Sequence, residues 1–190
     1  MKDAIFLGFN FQQFSDSVSV GIFLLFAFTI IFKILYLLKN KFILNLVNKI
    51  SYTHFIYILI FVLGAGIVGA NIYEVVYGDL PCILCWYQRA LIYPMFIILV
   101  AELFLKTRTA HKFAAVLAIL TLLVASYHYY FHYVRYVLGD LISSPCSASP
   151  LMPTCSEAGV VSFGFVTMPL MSVVISVFVV TVCYVLNKKK

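Results

Sequence analysis

Cys82 and Cys85 are separated by two residues and open an apolar run, while Cys146 and Cys155 lie in a later stretch rich in Pro and Ser. The fifth cysteine, Cys183, stands alone in the last apolar run, where a buried thiol is an inert packing residue. A Cys-x-x-Cys pair admits three chemistries. As a structural disulfide it closes a very small loop and gains little chain entropy. Together with Cys146 and Cys155 it has the ligand count of a four-thiolate zinc site. As a redox pair it needs a stabilised thiolate, which a helix N-terminus supplies through its partial positive charge and free N–H groups. Arg89 follows Cys85 by four residues, on the same helical face, and adds a cation. A c-type haem site needs His directly after the second Cys, and Trp86 stands there. These features favour redox exchange and leave the structural and zinc readings open.

Three other residues bear on that chemistry. Arg89 lies near the boundary of an otherwise apolar run, where a charge requires a partner or an interface. It either snorkels to headgroups or stabilises the Cys85 thiolate and a reduced, anionic cofactor oxygen together. His128 and His132 are spaced i, i+4 at a comparable depth. Each either donates to a ligand carbonyl or simply belongs to an aromatic interface. Glu74 and Arg135 read as interfacial anchors. Tyr127, Tyr129, Tyr130, Tyr133 and Tyr136 read as an aromatic belt, with a flat wall for a ring-shaped ligand as the sharper alternative.

The elements that must position these groups follow from solvent. Of 190 residues, 64% are hydrophobic and 11% charged, with a mean hydropathy of +1.05. A soluble domain carries about 25% charged residues, so lipid is the solvent here. Five runs, near 18–38, 53–77, 84–105, 113–138 and 167–187, are long enough to cross about 30 Å of hydrocarbon. Backbone groups in lipid must be paired within the segment, which makes these runs helices; the short alternating segments of a β-barrel are not seen. The expected fold is an all-α integral membrane protein.

The net charge of +6 is distributed by topology, which argues against nucleic acid as a partner. Lys39, Lys41 and Lys49, then Lys106, Arg108 and Lys112, then Lys188, Lys189 and Lys190 occupy alternate connections. Asp3, Asp16, Glu74, Asp79, Asp140 and Glu157 occupy the others, with Glu102 the exception. Lys/Arg excess marks the cytoplasmic side, so the N-terminus is expected outside and the C-terminus inside. The first run lacks a basic leader and an Ala-x-Ala site and is expected to be retained. The segment 39–51 is expected along the inner surface as an amphipathic piece, and 139–165 as the long outer loop. Both cysteine pairs then fall on the side where disulfides persist.

The segment Leu80-Pro-Cys-Ile-Leu-Cys-Trp-Tyr-Gln-Arg89 resembles the signature of the DsbB/BdbC family of thiol oxidases of bacterial cytoplasmic membranes. The likeness extends to the His-bearing end of the fourth run, the second cysteine pair, and Phe163-Gly-Phe-Val-Thr-Met-Pro169. It implies a four-helix transmembrane bundle core at 53–190. The segment 1–52 is then an extra N-terminal transmembrane helix with its cytoplasmic loop. By this resemblance the protein reoxidises a DsbA-like, thioredoxin-fold partner outside the membrane and passes the electrons to a quinone, ubiquinone or menaquinone, with no metal. Cys85 is implied beside the quinone, Arg89 and His128 at the quinone pocket, Cys82 in exchange with Cys155, and Cys146 as the sulfur attacked by the partner. The second pair is closely spaced, as in the shorter members. An epoxide-reductase-like (VKOR-like) protein, a non-catalytic scaffold held by disulfides or zinc, and a small transporter are the rivals. Gln88-Arg89 after the cysteines favours the first reading over the VKOR-like one.

Overall fold

The computed structural model describes residues 10–139, 146, 153–156 and 159–189. Asp3, Asp140, Glu157 and Lys190, used above in assigning sides, lie outside the described residues. Among the described residues six helices follow in chain order: α1 (Phe11–Leu37), α2 (Lys41–Lys49), α3 (Tyr52–Val75), α4 (Ile83–Leu105), α5 (Ala110–Tyr136) and α6 (Met168–Lys188). All except α2 are long and apolar enough to cross a membrane. The protein is therefore an all-α, multi-pass membrane protein.

Helix α1 begins seven residues earlier than hydropathy suggests. Asn10 and Gln13 form a reciprocal capping box, the Asn10 side chain accepting from the Gln13 backbone N–H at 2.8 Å. Asn40 caps α2 by accepting from Phe42 N–H at 3.0 Å. Helix α2 is amphipathic, burying Ile43 and Val47 one turn apart while Phe42 and Leu46 stay exposed. Its far end is held by the other terminus of the chain. Lys189 Nζ donates to the carbonyls of Val47 at 2.6 Å, Asn48 at 3.3 Å and Ile50. A cation at a helix C-terminus is favourable on both hydrogen-bond and dipole grounds. The α4–α5 connection is organised by Glu102, the acidic residue on the basic side. Its buried carboxylate accepts from the Thr107 hydroxyl at 2.6 Å, from Arg108 N–H and from Ala110 N–H at 3.3 Å.

Helix α6 is the centre of the bundle, packing against α5, α3 and α1. Its approach to α5 is close because α5 presents Ala110, Ala114, Ala118, Thr121 and Ala125, all buried, along one seam. Without a hydrophobic driving force between helices in lipid, small residues permit the backbone contact that replaces it. Gly66 does the same on α3, where an added Cβ would lie 2.9 Å from Ile175 of α6. The half of the bundle beside α2 is filled by Ile56, Leu59, Leu63, Leu99 and Val179, and Cys183 is buried among them as a packing residue. Helix α1 rests on α6 and is tied to the rest in its N-terminal half by aromatic contacts. Phe14 meets Tyr73 edge-on at 5.2 Å, Phe11 meets Tyr77 at 5.2 Å, and Phe23 lies 5.8 Å from Phe165. Phe165 belongs to a tight turn closed by Ser162 and Val166 through two 2.9 Å backbone bonds.

Candidate active site

Helix α4 starts where its sequence permits. Pro81 precedes Cys82, which takes the extended N-cap conformation, so Cys85 becomes the third residue of the helix. The two sulfurs are 3.3 Å apart and not bonded to each other. Cys146 and Cys155 are joined as a disulfide, their Cα atoms 5.6 Å apart. Cys155 is fully buried and packs with Cys82 and Leu84, and Cys85, Cys146 and Val124 surround that cluster. Residues far apart in sequence therefore bring the four cysteines of both pairs together. With Cys146 bonded to Cys155, the four-thiolate zinc arrangement is not the one adopted here.

His128, from α5, is buried against this pair. Its Nε2 lies 3.5 Å from Cys82 Sγ, and its Nδ1 lies 3.0 Å from the Gln88 side-chain nitrogen. The Gln88 amide donates to Nδ1, which places the imidazole proton on Nε2, directed at the Cys82 sulfur. Cys82 lies just ahead of the spanning helix. Its thiol is lowered to about 4 by the hydrogen bond with Cys85, then by that with His128, against the opposing effect of burial. The donors thus converge on Cys82, whereas the sequence directs attention to Cys85. Cys82, Cys85 and His128 also bring three soft donor atoms within 4.8 Å of one another. His132 sits edge-on to His128 at 4.7 Å.

Arg89 donates to Glu74 of α3 at 2.5 Å and lies over the Trp86 ring at 5.2 Å. Glu74, read above as an interfacial anchor, is thus the counter-ion that makes a guanidinium tolerable at this depth. Arg135, read the same way, donates to the Ser156 hydroxyl at 3.3 Å and tethers the segment that carries Cys155. Tyr127, Tyr130, Tyr133 and Tyr136 are exposed, as an interfacial belt requires, and none of them lines the site.

The cysteine pair opens on a cavity of about 850 Å³ between helices. Cys82, Cys85, Gln88, Arg89, His128 and His132 line one part with Asp79 nearby, and the remainder is bounded mostly by apolar side chains of α1, α3, α4 and α6. Such a volume is ample for a drug-sized ligand. A few polar groups grouped on a long apolar chamber suit a ligand with a polar ring and an apolar chain.

Fold and site define a membrane-embedded dithiol protein with a second, loop-borne cysteine pair. The family model "Disulfide bond formation protein DsbB" matches residues 52–186, and the chain belongs to that family. It is 32% identical over 118 residues to the SPbeta prophage-derived disulfide bond formation protein B of Bacillus subtilis, covering 62% of this chain and 75% of that protein. A probable disulfide formation protein of Coxiella burnetii is 33% identical over 112 residues, 57% of this chain and 73% of its own length. Disulfide bond formation protein C of Bacillus subtilis is 27% identical over 125 residues, 66% and 86% respectively. No solved structure matches the chain. The protein is accordingly a disulfide-forming membrane protein whose chemistry is thiol oxidation.

Proposed function

We propose that the chain oxidises a DsbA-like, thioredoxin-fold protein on the extracytoplasmic side of the bacterial cytoplasmic membrane and delivers the electrons to a membrane quinone. The observation that carries this reading is the junction of the Cys82–Cys85 pair with both the Cys146–Cys155 disulfide and the apolar cavity holding Arg89. Those are the two contacts that a relay from protein thiols to a lipid-soluble oxidant requires. The basic helix ends lie opposite the cysteines, which supports an extracytoplasmic site.

The residues divide the work as follows. A partner thiolate attacks Cys146 and releases Cys155 as a thiol; the partner's second thiol then displaces Cys146 from the mixed disulfide, and the partner leaves oxidised. The Cys155 thiolate then attacks Cys82, its neighbour in the cluster, breaking a Cys82–Cys85 disulfide and expelling Cys85; Cys146 next attacks Cys155, re-forming Cys146–Cys155 and expelling Cys82, so that the electrons reach the Cys82–Cys85 pair. The His128 and Cys85 hydrogen bonds stabilise Cys82 as a thiolate, making it a good leaving group in the second of these steps. Cys85 faces the cavity beside Arg89, whose cation favours charge developing on an acceptor oxygen. The quinone supplies the oxidising equivalents, taking two electrons and two protons as two thiols become one disulfide. Such an acceptor is needed because a DsbA-type protein, near −120 mV, lies above ordinary protein disulfides; a DsbA–DsbB–quinone chain is the known periplasmic solution.

The test is quinone reduction, followed by absorbance, by purified protein given reduced DsbA-like substrate. Wild type should turn over, and Cys85→Ser and Cys146→Ser should each abolish it. Absence of turnover with both ubiquinone and menaquinone would remove the reading.

A further inference from the structure

Helix α1 lies wholly outside the segment matched by the family, yet it supplies one side of the cavity. Phe14, Val18, Gly21, Ile22 and Leu25 face the chamber, spaced i, i+4, i+7, i+8 and i+11, which is a single helical stripe. From Phe14 to Leu25 this wall runs about 16 Å along α1. The chamber is continuous with the space around Cys85 and Arg89, and α1 and α3 are latched at their outer ends by Phe14 against Tyr73. Below that latch two glycines leave room: a Cβ built on Gly21 of α1, or on Gly69 of α3, would meet no atom within 4 Å.

We infer that α1 is the wall of a binding subsite for the apolar chain of the electron acceptor. The polar ring sits at Cys85 and Arg89, and a polyprenyl tail runs inward between the Gly21 and Gly69 faces. The inference rests on the quinone reading above and deepens it. Continuity with the cysteine pair selects a quinone tail over a phospholipid acyl chain as occupant, since only the former has a ring to place at the sulfurs.

The probe is a quinone ring with and without a polyprenyl tail, and the readout is quenching of Trp86, the only tryptophan, which stacks on the cavity residue Arg89. Wild type should bind the tailed quinone much more tightly than the tail-less one. Gly21→Leu fills the chamber from α1, and Gly69→Leu fills it from α3. Each should reduce the preference for the tailed form by about tenfold or more, since several buried methylenes lose their place. Leu24→Phe, on the lipid-exposed face of α1, should leave it unchanged. A tail carrying a diazirine should label α1 within 14–25 of the wild-type chain, and excess untagged quinone should compete. An unaltered preference in both glycine variants, or labelling displaced equally by phospholipid, overturns the subsite. Failure of any quinone to quench Trp86 or to accept electrons would instead remove the quinone reading itself.

Discussion

Replacing His128 by Phe keeps the ring volume in a buried place and removes the N–H directed at Cys82. A hydrogen bond to a charged acceptor contributes about 1.5–3 kcal/mol. The 3.5 Å separation places this one at the lower end, so the loss corresponds to about 1 pH unit on the Cys82 thiol. The direction is upward, because the donor favours the thiolate and its removal favours the thiol. The starting value is about 4, so thiolate stabilisation in the wild type is complete above the ordinary thiol range and is lost as pH falls through about 4. In the variant that window narrows from its acid side. The assay is the rate of iodoacetamide labelling at Cys82 in reduced protein, resolved from Cys85 by tandem mass spectrometry and followed against pH. Only the thiolate reacts, so the profile reports the ionisation. Gln88→Ala should shift the midpoint in the same direction by less, since Gln88 acts through the His128 tautomer. In the His128→Phe background it should have no further effect. A midpoint that stays fixed or moves down in His128→Phe would refute the assignment of His128 as donor to Cys82.

Other consequences concern the scaffold. Glu74→Gln removes the partner of Arg89, and because the pair is part-buried it should cost about 1–3 kcal/mol, read as a lower thermal unfolding midpoint in detergent. Gly66→Leu forces a side chain into Ile175 at the α3–α6 contact and should destabilise by about 1–3 kcal/mol or more in the same measurement. Lys189→Met withdraws the donor shared by three carbonyls at the end of α2, and faster hydrogen exchange confined to α2 should report it.

The spans were legible because lipid imposes a length and removes charge, and both marks survive in the sequence without any knowledge of contacts. Their ends were less so. Residues 11–17 of α1 include Gln12, Gln13, Asp16 and Ser17, which hydropathy rejects, although the Asn10–Gln13 capping pair was there to be read. Helix α5 starts at Ala110, ahead of the expected 113, because Glu102 accepts the backbone N–H of Ala110 from across the connection. Cys82, Cys85, Cys146, Cys155 and Arg89 stand out by type and spacing. Their partners do not: Glu74 reaches Arg89 from α3, and Gln88 reaches His128 from α4 to α5. Gln88 follows the cysteines in the recognisable motif, but nothing in a linear pattern states that it orients a histidine. The part taken by α1 in the cavity was equally invisible, since an apolar helix facing lipid and one facing a chamber have the same composition.

In the proposed relay both cysteine pairs share one electron path ending at the cavity. Anaerobic titration of the fully reduced protein with quinone, counting thiols at each addition, tests it without a partner protein. Two equivalents of quinone should oxidise both pairs, Cys82–Cys85 and Cys146–Cys155, in wild type, and Cys85→Ser should leave the thiols at Cys82, Cys146 and Cys155 reduced. Oxidation of Cys146 and Cys155 by quinone in Cys85→Ser, or none in wild type, would contradict the relay.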